Sequence, residues 1–401
     1  MGHDGAMSAA IPSPILPPAT IGILGGGQLG RMLGYAARAM GYGIRILDPD
    51  QACPASVVAD HVEVGGYDDL EAALRLAHDC AVVTYELEHV APGLVDAIEA
   101  LNVPVRPGAR ALRVTQDRLA ERGFVVAQGV AVAPWREVMV GDDEGLDAAL
   151  DIVGAPARLK AAFGGYDGRS QVRIATTRDR RMAWMDIGRA SGQPAILERE
   201  IAFRAELSVV GARGLDGAYE AYPVFRNVHD RGILVSTEWP AGVPQAVDDA
   251  AAAIGRTLAD AMELVGVLTV ELFLLPDGSL VVNELAPRVH NSGHVTLDAA
   301  GTSQFEQHIR AICGLPLGAT EPLAAAAMVN LLGDGVRRRG QLVGVADALA
   351  EGGVHLHLYG KRDVVERRKM GHLTAIAAPD GTTEDALDRA HAALERLSWM
   401  A

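Results

Sequence analysis

"TIGILGGGQLGRMLGYAARAMG", residues 20–41, reads as a buried strand, a glycine turn and an amphipathic helix. Leu29, Leu33, Ala36, Ala37 and Met40 recur at helical spacing, and Gly41 stops the pattern. Gly25, Gly27 and Gly30 form G-x-G-x-x-G at the junction, where bare backbone can approach an anion at a helix N-terminus. Asp48 follows Gly30 by about 18 residues, near the offset of a ribose-binding acid, so the spacing admits NAD. It equally admits another phosphorylated ligand, or a tight turn that binds nothing.

Outward from this unit, "GIRILDPD" and "AVVTYE" are strands, and "EAALRLAHDC" and "PGLVDAIEALN" are helices. Strands alternating with helices predict an α/β, doubly wound parallel sheet over residues 21–114. Upstream, residues 1–20 carry Pro12, Pro14, Pro17 and Pro18 and predict a flexible leader. They lack the basic start and apolar run of a signal peptide. Downstream the pattern becomes α+β. Residues 115–210 alternate short helices and strands around a second glycine-rich loop. Residues 211–401 hold strands, a long helix over 246–264, a hairpin turned by Pro276-Asp277-Gly278, and a last helix striped by Leu387, Ala390, Leu394 and Leu397.

Composition bounds the function. The 401-residue chain is 49% apolar, enough for several cores. A net charge of −15 excludes a general nucleic-acid surface, so any phosphate site must be a local cluster. Cys53, Cys80 and Cys313 form no C-x-x-C and fit reduced thiols. No run of about 18 apolar residues predicts a membrane span. Arginine is plentiful, but the only lysines are Lys160, Lys361 and Lys369. Such a chain keeps Lys where a compact ammonium is needed.

Four clusters carry chemistry. In "KAAFGGYDGRSQ", residues 160–171, Lys160 ends an apolar strand and Gly164, Gly165 and Gly168 make a flap able to fold over phosphates. Glu271 in "TVELF" and Glu284 in "VVNELAPR" lie on facing strands of a hairpin. Acids there cost free energy unless they are paired or bind a cation, and hard oxygens suit Mg²⁺. "APRVHNSGHVT" crowds Arg288, His290, Asn291, Ser292 and His294; no further Cys or His stands at ligand spacing, which argues against zinc. "LYGKRDVVERRKMGH" gathers Lys361, Arg367, Arg368 and Lys369, either as a solvated basic face or as a phosphate pocket.

"GGGQLGRML", "DPD", "TYELEHV", "QDR", "GGYDGRSQ", "NELAPRVHNSGH" and "RRKMGH", in this order over residues 21–372, resemble the N5-carboxyaminoimidazole ribonucleotide synthetases, ATP-grasp enzymes of de novo purine synthesis. The resemblance implies an ATP-grasp fold behind a Rossmann-like domain. It implies ATP-dependent carboxylation of 5-aminoimidazole ribonucleotide by bicarbonate through carboxyphosphate, with no NAD and no zinc. Carried over by motif, ATP would meet Arg118, Lys160 and the flap residues Gly165, Tyr166, Asp167, Gly168, Arg169, Ser170 and Gln171. It would also meet Glu198, Arg199, Glu200 and Ile201 at the adenine, Glu206 at the ribose, and His229, Asn283 and Glu284. Two Mg²⁺ ions would sit on Glu271 and Glu284. The nucleotide substrate would lie among Gln28, Leu29, Glu86, Arg288, His290, Asn291, Ser292, Lys361 and Arg368, with its phosphate at the first glycine loop. Asp167, Tyr166, Arg288 and Lys361 would carry the chemistry. A cytoplasmic homodimer without nucleic-acid or membrane partners is implied as well.

The chain departs from the family pattern in three places. Arg122 stands where a Lys usually follows "DR", and would make a phosphate contact of altered geometry. Ser170 replaces a usual Gly. The stretch before "RRK" lacks a Pro-Gly turn and is one residue longer, which leaves Arg367 and Arg368 as rivals. Another ATP-grasp ligase remains the alternative reading. An NAD dehydrogenase would leave Lys160, Glu271 and Glu284 unexplained, and an inactive binding protein would not need the carboxylate pair.

Overall fold

The computed structural model describes residues 12–164, 171–350 and 352–400. The expected parallel sheet is present. Its strands lie in the order His61–Val64, Gly43–Asp48, Thr20–Leu24, Val82–Tyr85, all parallel. Every residue of Val82–Tyr85 is buried, as a parallel strand covered on both faces requires. His61–Val64 escaped the sequence reading because it is short, polar and half exposed. The helices Gln28–Ala39, Leu70–His78 and Pro92–Glu99 cover the sheet.

Two antiparallel sheets follow. The smaller runs Trp135–Met139, Pro194–Arg199, Ala157–Ala161, Gln171–Ile174, with Leu146, Ala149, Val153, Ala183 and Ile187 packed on it from two helices. The larger has nine strands and centres on Ala205–Arg213, which pairs with Gly266–Leu274 and Phe225–Asp230. The expected boundary at residue 210 therefore cuts through a strand of the larger sheet. The chain leaves the smaller sheet after Arg199 and enters the larger one at Ala205. Periodicity identifies a strand but not its partners.

The parallel sheet is sealed to the larger unit. Helix Gln28–Ala39 packs against Gln304–Cys313 in one core that includes Ile21, Leu33, Phe305, Ile309 and Trp239. His308 bridges the two: Val267 N–H donates to Nδ1 at 3.1 Å and Nε2 lies 2.8 Å from Thr84 Oγ1. The leader is also tied down where it is described. Ile15 N–H donates to Cys313 O at 2.8 Å, and Tyr42 O–H donates to Ile15 O at 2.7 Å. This corrects the expectation of a flexible leader to residue 20, because Ile15 packs on the core.

Candidate functional site

One face of the nine-stranded sheet collects the acids. Glu271 stands directly opposite Glu284 on one side and Ser208 on the other, and Glu206 lies two residues from Ser208. A bulge after Glu271 turns consecutive residues Asn283 and Glu284 toward the same face. Asn283 Nδ2 donates to Glu271 Oε2 at 3.2 Å, and Glu271 Oε1 lies 3.3 Å from His290 Nε2. Burial, reinforced by the charge of Glu284, pushes Glu271 above its ordinary value. Two opposed carboxylates and an amide oxygen fit a hard divalent cation such as Mg²⁺, which would relieve that repulsion. Arg118 reaches the group from the start of helix Arg118–Ala127, with NH1 4.0 Å from Glu284 Oε1.

Beside it, His229 Nδ1 lies 2.7 Å from Glu206 Oε2. Burial pulls His229 down, but the Glu206 hydrogen bond and the Glu271 charge outweigh it and raise the imidazole above its ordinary value. The loop that follows Glu284 is threaded into the fold. His290 Nδ1 pairs with Ser292 Oγ at 2.9 Å, Ser208 O–H donates to Ser292 Oγ at 2.8 Å, and Asn330 Nδ2 donates to Asn291 Oδ1 at 2.5 Å. Arg288 Nε sits 2.8 Å from Glu88.

The smaller sheet contributes Lys160, whose ammonium is 2.6 Å from Glu198 Oε2. Arg122 grips the other oxygen of Glu198 through Nε at 2.5 Å, pairs with Glu121 through NH1, and donates from NH2 to Asn283 O at 2.6 Å. Burial alone would push Glu198 up, but Lys160 and Arg122 overcome it and hold the carboxyl down at about 2. The expected phosphate contact through Arg122 is thus corrected. Its side chain is 3% exposed and all three arms of the guanidinium are spent within the protein. The fork locks the small sheet to the hairpin that carries Asn283 and Glu284. Arg199 also turns inward, donating from Nε to Val153 O at 2.6 Å, while Glu200 pairs with Arg173 at 2.5 Å. Ile201 follows in the segment between the sheets, and Gln171 stands opposite Lys160. Gly165, Tyr166, Asp167, Gly168, Arg169 and Ser170 lie outside the described residues.

The first glycine loop holds an anion of its own. Gly27 N–H donates to Glu86 Oε1 at 2.5 Å and Gly30 N–H donates to Glu86 Oε2 at 2.6 Å. Gly26 N–H donates to Asp48 Oδ2 at 2.9 Å, an oxygen that also accepts Tyr67 O–H at 2.9 Å. Asp48 therefore closes the loop, and the offset that had suggested a ribose contact has a structural cause. A Cβ on Gly27 would stand 2.4 Å from Glu86 Oε1, so glycine is needed for the carboxylate's approach. The expectation that these N–H groups hold the substrate phosphate is corrected on the same ground. Leu29 points into the core rather than to a ligand. Gln28 does face the site: Lys361 Nζ donates to its Oε1 at 2.7 Å and to Lys369 O at 2.6 Å.

The basic stretch divides by role. Arg367, in the left-handed region at φ 60°, ties to Asp230 at 2.8 Å, and Arg368 NH1 donates to Asp363 O at 3.1 Å. Lys369 stands near enough to His290 and His294 to join burial in pulling both below their ordinary values. Sequence reading missed Glu88, Glu121, Ser208, Asn227 and Asn330 as partners within the site. Glu88 sat in the quoted "TYELEHV"; Glu121 lies on helix Arg118–Ala127 and became visible only through the packing of that helix on the hairpin, and Ser208, Asn227 and Asn330 only through sheet pairing.

Comparison with known proteins supplies the context. An ATP-grasp domain model matches residues 124–305. A ribonucleotide synthetase preATP-grasp model matches 18–116, and a phosphoribosylaminoimidazole carboxylase C-terminal model matches 326–386. The N5-carboxyaminoimidazole ribonucleotide synthase of Brucella melitensis is 44% identical over 360 residues, covering 90% of this chain and 97% of the relative. That of Bacillus subtilis is 40% identical, covering 91% and 93%. A crystal structure of an N5-carboxyaminoimidazole ribonucleotide synthetase with ADP superposes with a TM-score of 0.87 at 41% identity, covering 96% of this chain and 98% of that one. The Aspergillus clavatus enzyme with ADP and 5-aminoimidazole ribonucleotide gives 0.84 at 29% identity, covering 94% and 98%.

Proposed function

The chain belongs to the N5-carboxyaminoimidazole ribonucleotide synthase family, and from that premise we propose how its own residues carry out the ATP-dependent carboxylation of 5-aminoimidazole ribonucleotide. It is an ATP-grasp ligase of purine biosynthesis. A bicarbonate oxygen attacks the γ-phosphorus of ATP, the bond to the ADP oxygen breaks, and carboxyphosphate forms. The exocyclic amine then attacks the carboxyl carbon, directly or as released CO2. The carbon–oxygen bond to phosphate breaks, phosphate leaves, and the amine proton passes to a base. Such chemistry rests on charge neutralisation and alignment more than on covalent catalysis.

ATP lies between the small and the nine-stranded sheets in this reading. Lys160, oriented by Glu198, meets the phosphates. The backbone over 198–201 reads the adenine, Glu206 takes the ribose, and His229, drawn toward its cationic form by Glu206 and Glu271, adds to the positive charge there. Glu271 and Glu284 would hold Mg²⁺, two ions in the full reading, whose charge would neutralise the phosphates. Arg118 steadies Glu284. The acceptor nucleotide lies between Gln28 and Glu86 on the parallel-sheet domain and Arg288, His290, Lys361 and Arg368 on the other side. Glu86, already fixed by two backbone N–H groups, is the hydroxyl acceptor of that site. The nucleotide's phosphate falls to the cations of the 361–369 stretch. Asp167 takes the amine proton, with Tyr166 beside it on the flap. A cytoplasmic homodimer completes the proposal. No helix among the described residues is long and apolar enough to cross a membrane.

The observation that carries the reading is Glu271 opposed to Glu284 on one sheet face, joined through Asn283 and Arg122 to the Glu198–Lys160 pair. ADP release in the presence of bicarbonate tests it. Addition of 5-aminoimidazole ribonucleotide is expected to stimulate release strongly, and indifference to that nucleotide would sink the assignment.

A further inference from the structure

Away from this site, a second cluster of metal-ligating side chains forms on the far strands of the large sheet. His355 and His357 lie two residues apart on the edge strand Val354–Leu358, on one face. His372, on Lys369–Ile376, is the direct cross-strand partner of His357. Asp298, from the short helix Thr296–Ala299, reaches the same face. Its carboxylate is 2.9 Å from His357 Nε2 and 3.6 Å from His355 Nδ1. One ligand atom each from Asp298, His357 and His372 lie within 4.8 Å of one another.

An Asp298–His357 ion pair would need none of the rest. His372 is fully buried, and its Nε2 has no hydrogen-bond partner among the described residues. Its Nδ1 is taken by Tyr359 Oη at 2.9 Å. A buried ring nitrogen without a partner is destabilising, and nothing in the proposed reaction uses it. Burial pushes this imidazole well below its ordinary value, which keeps it neutral and fit to ligate. Its second nitrogen is fixed by a hydrogen bond, as metal-bound histidines usually are.

We propose that Asp298, His357 and His372 form a site for a divalent transition metal of the zinc class, with His355 able to close a fourth position. Imidazole nitrogens and a carboxylate suit Zn²⁺, Co²⁺ and Ni²⁺ rather than Mg²⁺. Ligand atoms around such an ion stand about 3.3 Å apart, from metal–nitrogen bonds of about 2.0–2.1 Å. The cluster must therefore contract, chiefly by rotation of His357, whose ring now stacks on His372 with centroids 4.6 Å apart. His357 is a third exposed and sits on an edge strand, so it can turn. It also lines a cavity of about 520 Å³ with Met32, Tyr35, Leu356 and Leu358, which gives the ion a path. The ligands come from strands far apart in sequence, so no ligand spacing marks the site; strand pairing assembles it.

Co²⁺ is the probe. Added to the metal-free full chain, it is expected to give the intense visible bands of a nitrogen-ligated, low-coordinate site. The variants His357→Gln and Asp298→Asn should each weaken that binding at least about tenfold. Glu271→Gln should leave the bands intact, which separates this site from the one facing ATP. Zn²⁺ should likewise raise the wild-type unfolding temperature, so the proposal remains testable should a variant fold poorly. Absent bands, bands insensitive to both variants, bands lost with Glu271→Gln, or no thermal shift with Zn²⁺ would each overturn it.

Discussion

Arg122 is the cation shared by two buried carboxylates, Glu121 and Glu198. By motif it stood at a phosphate-contacting position. In the fold it is a buried fork between Glu121, Glu198 and the Asn283 carbonyl. Removing it leaves two carboxylates without their shared cation, so Arg122→Met is expected to cost about 3–5 kcal/mol in chemical denaturation. A variant of native stability that had lost only ATP affinity would restore the phosphate role. Glu284 behaves differently, because its side chain is about half exposed and faces the ligand side. Glu284→Gln is expected to fold normally and to lower kcat at least about a hundredfold by weakening the metal clamp. A near-normal turnover would remove Glu284 from that role.

At the scale of elements, two glycines in helices separate close approach from mere propensity. A Cβ on Gly30 would meet the Gly25 carbonyl at 2.4 Å, backbone that cannot yield, whereas one on Gly123 meets nothing within 4 Å. Gly30→Ala should therefore lower the unfolding free energy, read from chemical denaturation, by about 1–3 kcal/mol. Gly123→Ala, inside helix Arg118–Ala127, should raise it by up to about 1 kcal/mol. Equal effects would mean that the Gly30 contact is relieved by movement of the loop. The N-terminal sheet was legible in sequence, His61–Val64 excepted, because its strands and helices alternate and its other three strands are largely apolar runs. The hairpin with Glu271 and Glu284 was legible because Pro276-Asp277-Gly278 sets the turn and so the register. What stayed hidden depends on partners far along the chain. Lys361 meets Gln28 across 333 residues and Asn291 meets Asn330 across 39, and no local period encodes either contact. The glycine loop misled for a related reason: its spacing reports an anion at a helix start but not that the anion is the chain's own Glu86.

The whole molecule depends on burying neutral groups between its domains. His308 accepts Val267 N–H at Nδ1, so its proton rests on Nε2 toward Thr84, and burial holds it down at about 3. An unfolded histidine titrates near 6.5. The neutral form is therefore the stable one in the fold, and its contribution is complete above about pH 6.5. That contribution is lost as pH falls toward 3, by about 1.4 kcal/mol per pH unit. Denaturation midpoints measured between pH 7.5 and 5 should decline accordingly, and His308→Asn should flatten that slope; an unchanged slope would mean that His308 does not titrate on unfolding. The same assembly brings Gln28 of the first domain to Lys361 of the last, so that the acceptor site proposed above draws on both ends of the chain. The direct test of the reaction proposed for it uses bicarbonate labelled with oxygen-18, together with ATP, Mg²⁺ and 5-aminoimidazole ribonucleotide. The phosphate released should carry one labelled oxygen for each ADP formed, because a bicarbonate oxygen attacks the γ-phosphorus and leaves with it. Unlabelled phosphate would mean that water attacks instead, and would contradict the account.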